Sequence, residues 1–152
     1  MSTTQELFNE RLDRIKKALN HEKPDRTPVV MMEDAKAAIH MGVPLSKFIS
    51  SVKKSNEVMV DYMKDLGEAD GIDQPFSAAK LFPMVFMSGI KLPGRELPEN
   101  MLWQLDEKEV MTPDDYDTII NKGWSSFRAD YLPNRVNYDL QATLEDLQDA
   151  GP

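Results

Sequence analysis

Few side chains in this sequence have the type and spacing that catalysis or metal binding needs. Glu68, Asp70 and Asp73 are close enough together to suggest a hard-cation site, yet no glycine-centred calcium loop accompanies them. His21 and His40 are far apart and lack ligand spacing. His21 falls where a helix should end, which favours an imidazolium, and His40 sits near a second helix end; both read as structural or solvent-facing groups. Asp34, Asp114 and Asp115 fall where helices should begin and read as caps, not as an acid–base pair. The sequence has no cysteine, which excludes disulfides and thiolate-held metals. The methionines between Met31 and Met63 could suggest a cofactor box, but thioethers fill irregular gaps and core packing explains them better. Trp103, Trp124 and Phe127 likewise read as packing residues.

The totals bound what such residues can serve. A chain of 152 residues with 41% hydrophobic content supports one domain, 1–152, with a real core and is too short for two. No run approaches the roughly 20 apolar residues of a membrane span. The opening MSTTQELFNERL lacks a basic start and an apolar stretch, so no secretory signal is expected and the cytoplasm is the expected compartment. A net charge of −8 would repel a phosphate backbone and argues against nucleic-acid binding.

The elements that must position any site are organised by residues 11–33. Phe8, Leu12, Ile15 and Leu19 share one helical face, and Lys16 and Lys17 oppose the dipole at its C-terminal end. Pro24 and Pro28 then forbid helix, and the apolar run 28–32 is expected to be buried strand. Asp34 is placed to cap a helix over 35–41, stopped by Gly42. Pro44 should open a longer helix ending at Gly67, with Leu45, Phe48, Ile49, Val52, Met59, Met63 and Leu66 on one face. A very short strand is expected at 71–73, ended by Pro75, a buried strand at 84–87, and a turn at Pro93-Gly94. Another strand is expected at 101–105, with Val110 closing the pair. Thr112 as N-cap, Pro113 at N1 and two aspartates mark the clearest helix start, with Tyr116, Ile119 and Ile120 facing inward and Gly123 as the stop. A helix over 124–131 should break at Pro133, and 139–149 should bury Leu140, Leu144 and Leu147.

Arg14, Ala18, Leu19, Asn20, Glu22, Lys23, Pro24, Asp25, Arg26, Pro28 and Val29 form a pattern that resembles the N-terminal signature of the uroporphyrinogen decarboxylase superfamily. That superfamily also holds methyltransferases that move methyl groups to or from corrinoid proteins or coenzyme M. Residues 94–127 resemble its methyltransferase-type branch. The resemblance covers most of the chain but only the first part of a family member. It implies an α/β fold, the N-terminal part of a (β/α)8 TIM-type barrel, incomplete here because such barrels need about 250 residues.

Barrel sites lie at the C-terminal ends of the strands, so the resemblance points to Met32 and Glu33 after the first strand and to Asp73 through Ser77 after the second. In the decarboxylases two arginines after the first strand bind substrate carboxylates. The matching positions here hold Glu33 and Ala37, and the intervening glycine position holds Lys36. Glu33 facing a carboxylate would cost a few kcal/mol at an effective dielectric of about 20. Ser77 falls at or beside the position of the decarboxylases' essential aspartate, with Asp73 just before it, and Phe76-Ser77-Ala78 supplies no acid. The substrate-pocket candidates are therefore Met32, Glu33, Lys36, Asp73 and Ser77, with no catalytic residue assigned.

The resemblance implies a piece of a methyltransferase-type enzyme, transferring methyl groups through a corrinoid protein or a thiol, and inactive by itself. A complete homologue implies zinc on a His-x-Cys and a distant Cys, together with a corrinoid partner. This chain has no cysteine to bind such a zinc and is expected to bind no cofactor itself. Two alternatives stand beside it: a non-catalytic remnant or module that pairs its open strand edges with another chain, and a uroporphyrinogen decarboxylase of tetrapyrrole biosynthesis. The expected partners are the remainder of the barrel, a corrinoid protein or a second copy.

Overall fold

A capping box opens the described chain. Thr3 Oγ1 accepts from the Glu6 amide at 3.2 Å, and the Thr3 N–H donates to the Glu6 carboxylate at 2.7 Å. The computed structural model describes residues 3–67, 69–72, 79–109, 111–136 and 138–149. The capping box starts α1 (Thr4–Leu19), which ends with His21 in the left-handed region at φ 60. The expected apolar face of α1 is only partly used. Leu12 and Ile15 are half-buried and, with exposed Phe8 (57%), border an open groove whose other side is Val60 and Met63 of the fourth helix; Leu19 is 75% exposed. The residue that α1 buries is a cation, Arg14.

The expected strand at 28–32 contracts to β1 (Val30–Met31), which pairs in parallel with β2 (Gly71–Ile72) in the register Val30↔Gly71 and Met31↔Ile72. It is not buried: Val29 and Val30 are about half exposed and Met32 is 77% exposed. Among the described residues its sheet has these two strands, which leaves much of its apolar surface uncovered. The crossover between β1 and β2 runs through α2 (Ala35–His40), α3 (Leu45–Phe48) and α4 (Val52–Leu66), so the described chain is mostly helical with small sheets and holds one βαβ unit of the α/β kind. The single helix expected from Pro44 to Gly67 is two, because Ser51 adopts extended geometry and its side chain caps a new helix by accepting from the Lys54 amide. Leu45, Phe48, Ile49, Val52 and Met59 are buried as their spacing predicts, while Leu66 is exposed. Gly67, at φ 80, ends α4 in a conformation that side chains resist.

Residues 84–87, expected as a strand, belong to α5 (Phe82–Phe86) and its left-handed cap Met87. Pro83 suits a first helical turn because its missing N–H has no partner there. Phe82 anchors the element in the core against Trp103, with ring centroids 4.9 Å apart. β3 (Ile90–Lys91) and β4 (Gln104–Leu105) form a short antiparallel pair, Ile90↔Leu105 and Lys91↔Gln104. Of the strand expected at 101–105 only its last two residues remain, and Val110 lies outside the described residues. Gly94 sits at φ 76, where a Cβ would come within 2.7 Å of the Ser46 side chain.

α6 (Pro113–Lys122) begins as expected, but Tyr116 and Ile120 face solvent. The group it buries is Asp115, which accepts from the Thr112 N–H and from both ends of the Arg135 guanidinium, each at 2.7 Å. α7 (Trp124–Arg135) does not stop at Pro133; the proline sits in its last turn, and the carbonyl it leaves unbonded belongs to exposed Ala129. Phe127, Tyr131 and Leu132 build a second cluster under α5, and the Tyr131 hydroxyl donates to the Met87 carbonyl at 2.9 Å. Trp124, expected to pack, is half exposed.

In α8 (Leu140–Asp149) the faces are reversed: Leu140, Leu144 and Leu147 are exposed, and Thr143 and Asp146 are buried. The polar face is the one turned to the rest of the described chain, and its groups are hydrogen-bonded. Asp146 accepts the Val52 amide at the start of α4, and the Thr143 hydroxyl donates to the Lys80 and Asp139 carbonyls. Among the described residues no helix is long and apolar enough to cross a membrane.

Candidate functional site

Parallel pairing brings the C-terminal ends of β1 and β2 to one edge of the sheet. Met32 stands exposed just past β1. Lys36, on the first turn of α2, reaches back to Glu33, its Nζ 3.1 Å from Oε1. The Glu33 carboxylate raises the Lys36 pKa, the two forming an ion pair within the strand end. Ala37 is fully buried and offers nothing to the edge. Of the five pocket candidates, Glu33 and Lys36 touch and Met32 flanks them. Asp73 and Ser77 lie outside the described residues. A carboxylate already matched by a lysine, beside a thioether, is a weak anion receptor.

The opposite ends of the same strands hold the strongest polar cluster, one that spacing alone did not assemble. Arg14 Nε and Nη2 fork onto the Asp25 carboxylate at 2.7 Å each, Nη2 also reaches Glu10, and Nη1 pairs with Asp70. Arg26 binds both oxygens of Asp70, at 2.7 and 3.0 Å. Asp70 also accepts the Val29 amide, and its own amide donates to the Val29 carbonyl, each at 2.8 Å. One carboxylate with no exposed surface thus joins α1, the turn after it and both strands.

Burial pushes the Asp70 pKa up, but the Val29 amide and the two guanidiniums outweigh it and hold the group below the usual carboxylate range. Asp25 is held far below that range by Arg14, and Arg14 is raised in turn by Asp25 and Glu10. The Asp70 carboxylate is thus taken up by two guanidiniums, while Glu68 and Asp73, the other acids of the expected cation cluster, lie outside the described residues. Asp70 is a structural counter-ion at the N-terminal ends of the strands. The local signal for this cluster was Glu10 and Arg14 one helical turn apart, on a different face from Leu12 and Ile15, together with Asp25-Arg26 in one turn. Its distant partner Asp70 had no marker in spacing.

The remaining candidates are surface features. His40 Nε2 is 2.7 Å from Asp65 Oδ2 and its ring meets Tyr62 edge-on, both His40 and Asp65 being exposed, and His21 is exposed at the helix break. Asp34 precedes α2 as expected but makes no side-chain capping hydrogen bond, its backbone lying at φ −140 and ψ −109. Among the described residues no three acids or histidines converge as a metal site. Comparison with known proteins gave no match to a family model, to a curated protein or to a solved structure.

Proposed function

We propose that this chain is the opening portion of a TIM-type barrel related to the uroporphyrinogen decarboxylases, from the branch that transfers methyl groups through a corrinoid protein or a thiol, in the cytoplasm. The observation that carries this reading is the β1 edge. The two positions that should present arginines to substrate carboxylates hold a glutamate matched by Lys36 and a fully buried alanine. The parallel β1–β2 pair with a helical crossover is how a βα barrel begins, and Arg14, Asp25 and Arg26 of the signature are joined through Asp70 beneath it. Thiolate-held zinc does not fit this chain, which has no cysteine, so no step is assigned to a metal here.

A second reading has its own support: half-exposed Val29 and Val30 and exposed Met32 on a two-stranded sheet suit a module that pairs its edge with another chain. Incubation of the purified protein with uroporphyrinogen tests the exclusion of decarboxylation. No loss of carboxylate is expected, and multiple turnover would overturn the methyltransferase assignment.

A further inference from the structure

The connection between α7 and α8 borders a cavity of about 620 Å³, within the size range of small-molecule sites. Leu132, Pro133, Leu140 and the Tyr138 ring give it apolar walls, the Tyr138 hydroxyl being turned to Met84 Sδ at 3.4 Å; Asp139 gives it a carboxylate margin, and Arg128 is its one cation among the described lining residues. Arg128 is half-buried, its Nε is buried with no hydrogen-bond partner, and it forms no ion pair among the described residues. A partly desolvated guanidinium without a counter-ion is costly, and folded proteins seldom keep one without a use. Arg135, one helical turn past Tyr131, shows the usual arrangement by contrast: it is forked onto Asp115.

We propose that this cavity binds a small monocarboxylate with an apolar body. The carboxylate pairs with the Arg128 guanidinium, whose planar donors suit it, and the hydrocarbon lies on Leu132, Pro133 and Leu140. The Asp139 carboxylate on the same margin disfavours a dianion such as phosphate. It is retained there because its Oδ1 accepts the Ala142 amide at the start of α8, at 2.9 Å. The site is built by α7, α8 and their connection, so it does not depend on the family reading of the strand ends.

Calorimetric titration of the full chain with 4-phenylbutyrate, 4-phenylbutanol and acetate tests the proposal. Saturable binding is expected for the acid, weaker by about tenfold or more for the alcohol and for acetate, since each lacks one half of the recognition. Arg128→Met should abolish acid binding while leaving the melting temperature unchanged or raised, and Arg128→Lys should retain weakened binding. Should the methionine variant fail to fold, Leu140→Glu, at an exposed position on the cavity wall, decides by repelling the ligand. Absence of saturable acid binding overturns the proposal. So does an alcohol that binds as well as the acid, or binding that survives in Arg128→Met or Leu140→Glu.

Discussion

Asp70→Ala is expected to lower the free energy of unfolding by roughly 3–5 kcal/mol, the cost of leaving buried charge without its partner. Natural domains hold only about 5–15 kcal/mol in total, so this one side chain decides whether the protein stays folded at moderate denaturant. The substitution takes from Arg14, which is 4% exposed, the one buried partner among its three carboxylates, releases Arg26, and removes the acceptor of the Val29 amide at the entrance to β1. The urea midpoint reads the effect. Replacing the pair together, Arg14→Met with Asp70→Leu, should recover a large part of the loss, because apolar groups of similar volume need no counter-charge.

Acid should expose the same cluster. Asp70 and Asp25 have folded pKa values below the unfolded value of about 3.9, so their stabilisation is complete above that pH and is lost as pH falls through the folded values. Asp70→Ala should show a correspondingly shallower loss of stability in acid. A urea midpoint unchanged by Asp70→Ala would remove the cluster from the list of things holding α1 to the sheet.

Phe48→Ala is expected to cost about 3–5 kcal/mol, and Phe48→Leu less than about 1.5 kcal/mol. Phe48 has no exposed surface, and the core cluster it joins includes Ala37 and Ala38 of α2 and Val58 and Met59 of α4. Alanine there leaves a void at the centre of the crossover that fixes the spacing between the β1 and β2 ends. The urea slope should stay constant while the midpoint falls. A loss below about 1 kcal/mol would mean that the helices close over the void and that this core does not set the strand-end geometry.

Some helix boundaries in this fold are written in local chemistry and were legible, whereas Pro133 does not stop α7 and the break at Ser51 was missed. Thr112-Pro113, Gly67 and Gly123 act within a turn of themselves, and each does in the structure what its residue type dictates. What spacing could not convey is which face a helix buries when tertiary hydrogen bonds compete with apolar area. In α8 the hydrogen-bonded Asp146 and Thr143 are buried while three leucines are exposed, and in α1 the buried residue is Arg14. Residues 84–87 show the same limit: an apolar run of that length fits strand or helix, and Met87 in the left-handed region settles it as helix.

At the candidate site the sequence placed Glu33 and Lys36 correctly at the end of β1 but did not foresee that they would pair. The Arg14–Asp70–Arg26 cluster needed a contact between segments far apart in the chain, which no local pattern encodes.

Reading the coding sequence downstream of the Pro152 codon tests the barrel reading most directly. An open frame that supplies further βα units, with a His-x-Cys and a later Cys, is the predicted result. A stop codon followed by unrelated sequence would contradict a methyltransferase and leave the βαβ unit as a module in its own right.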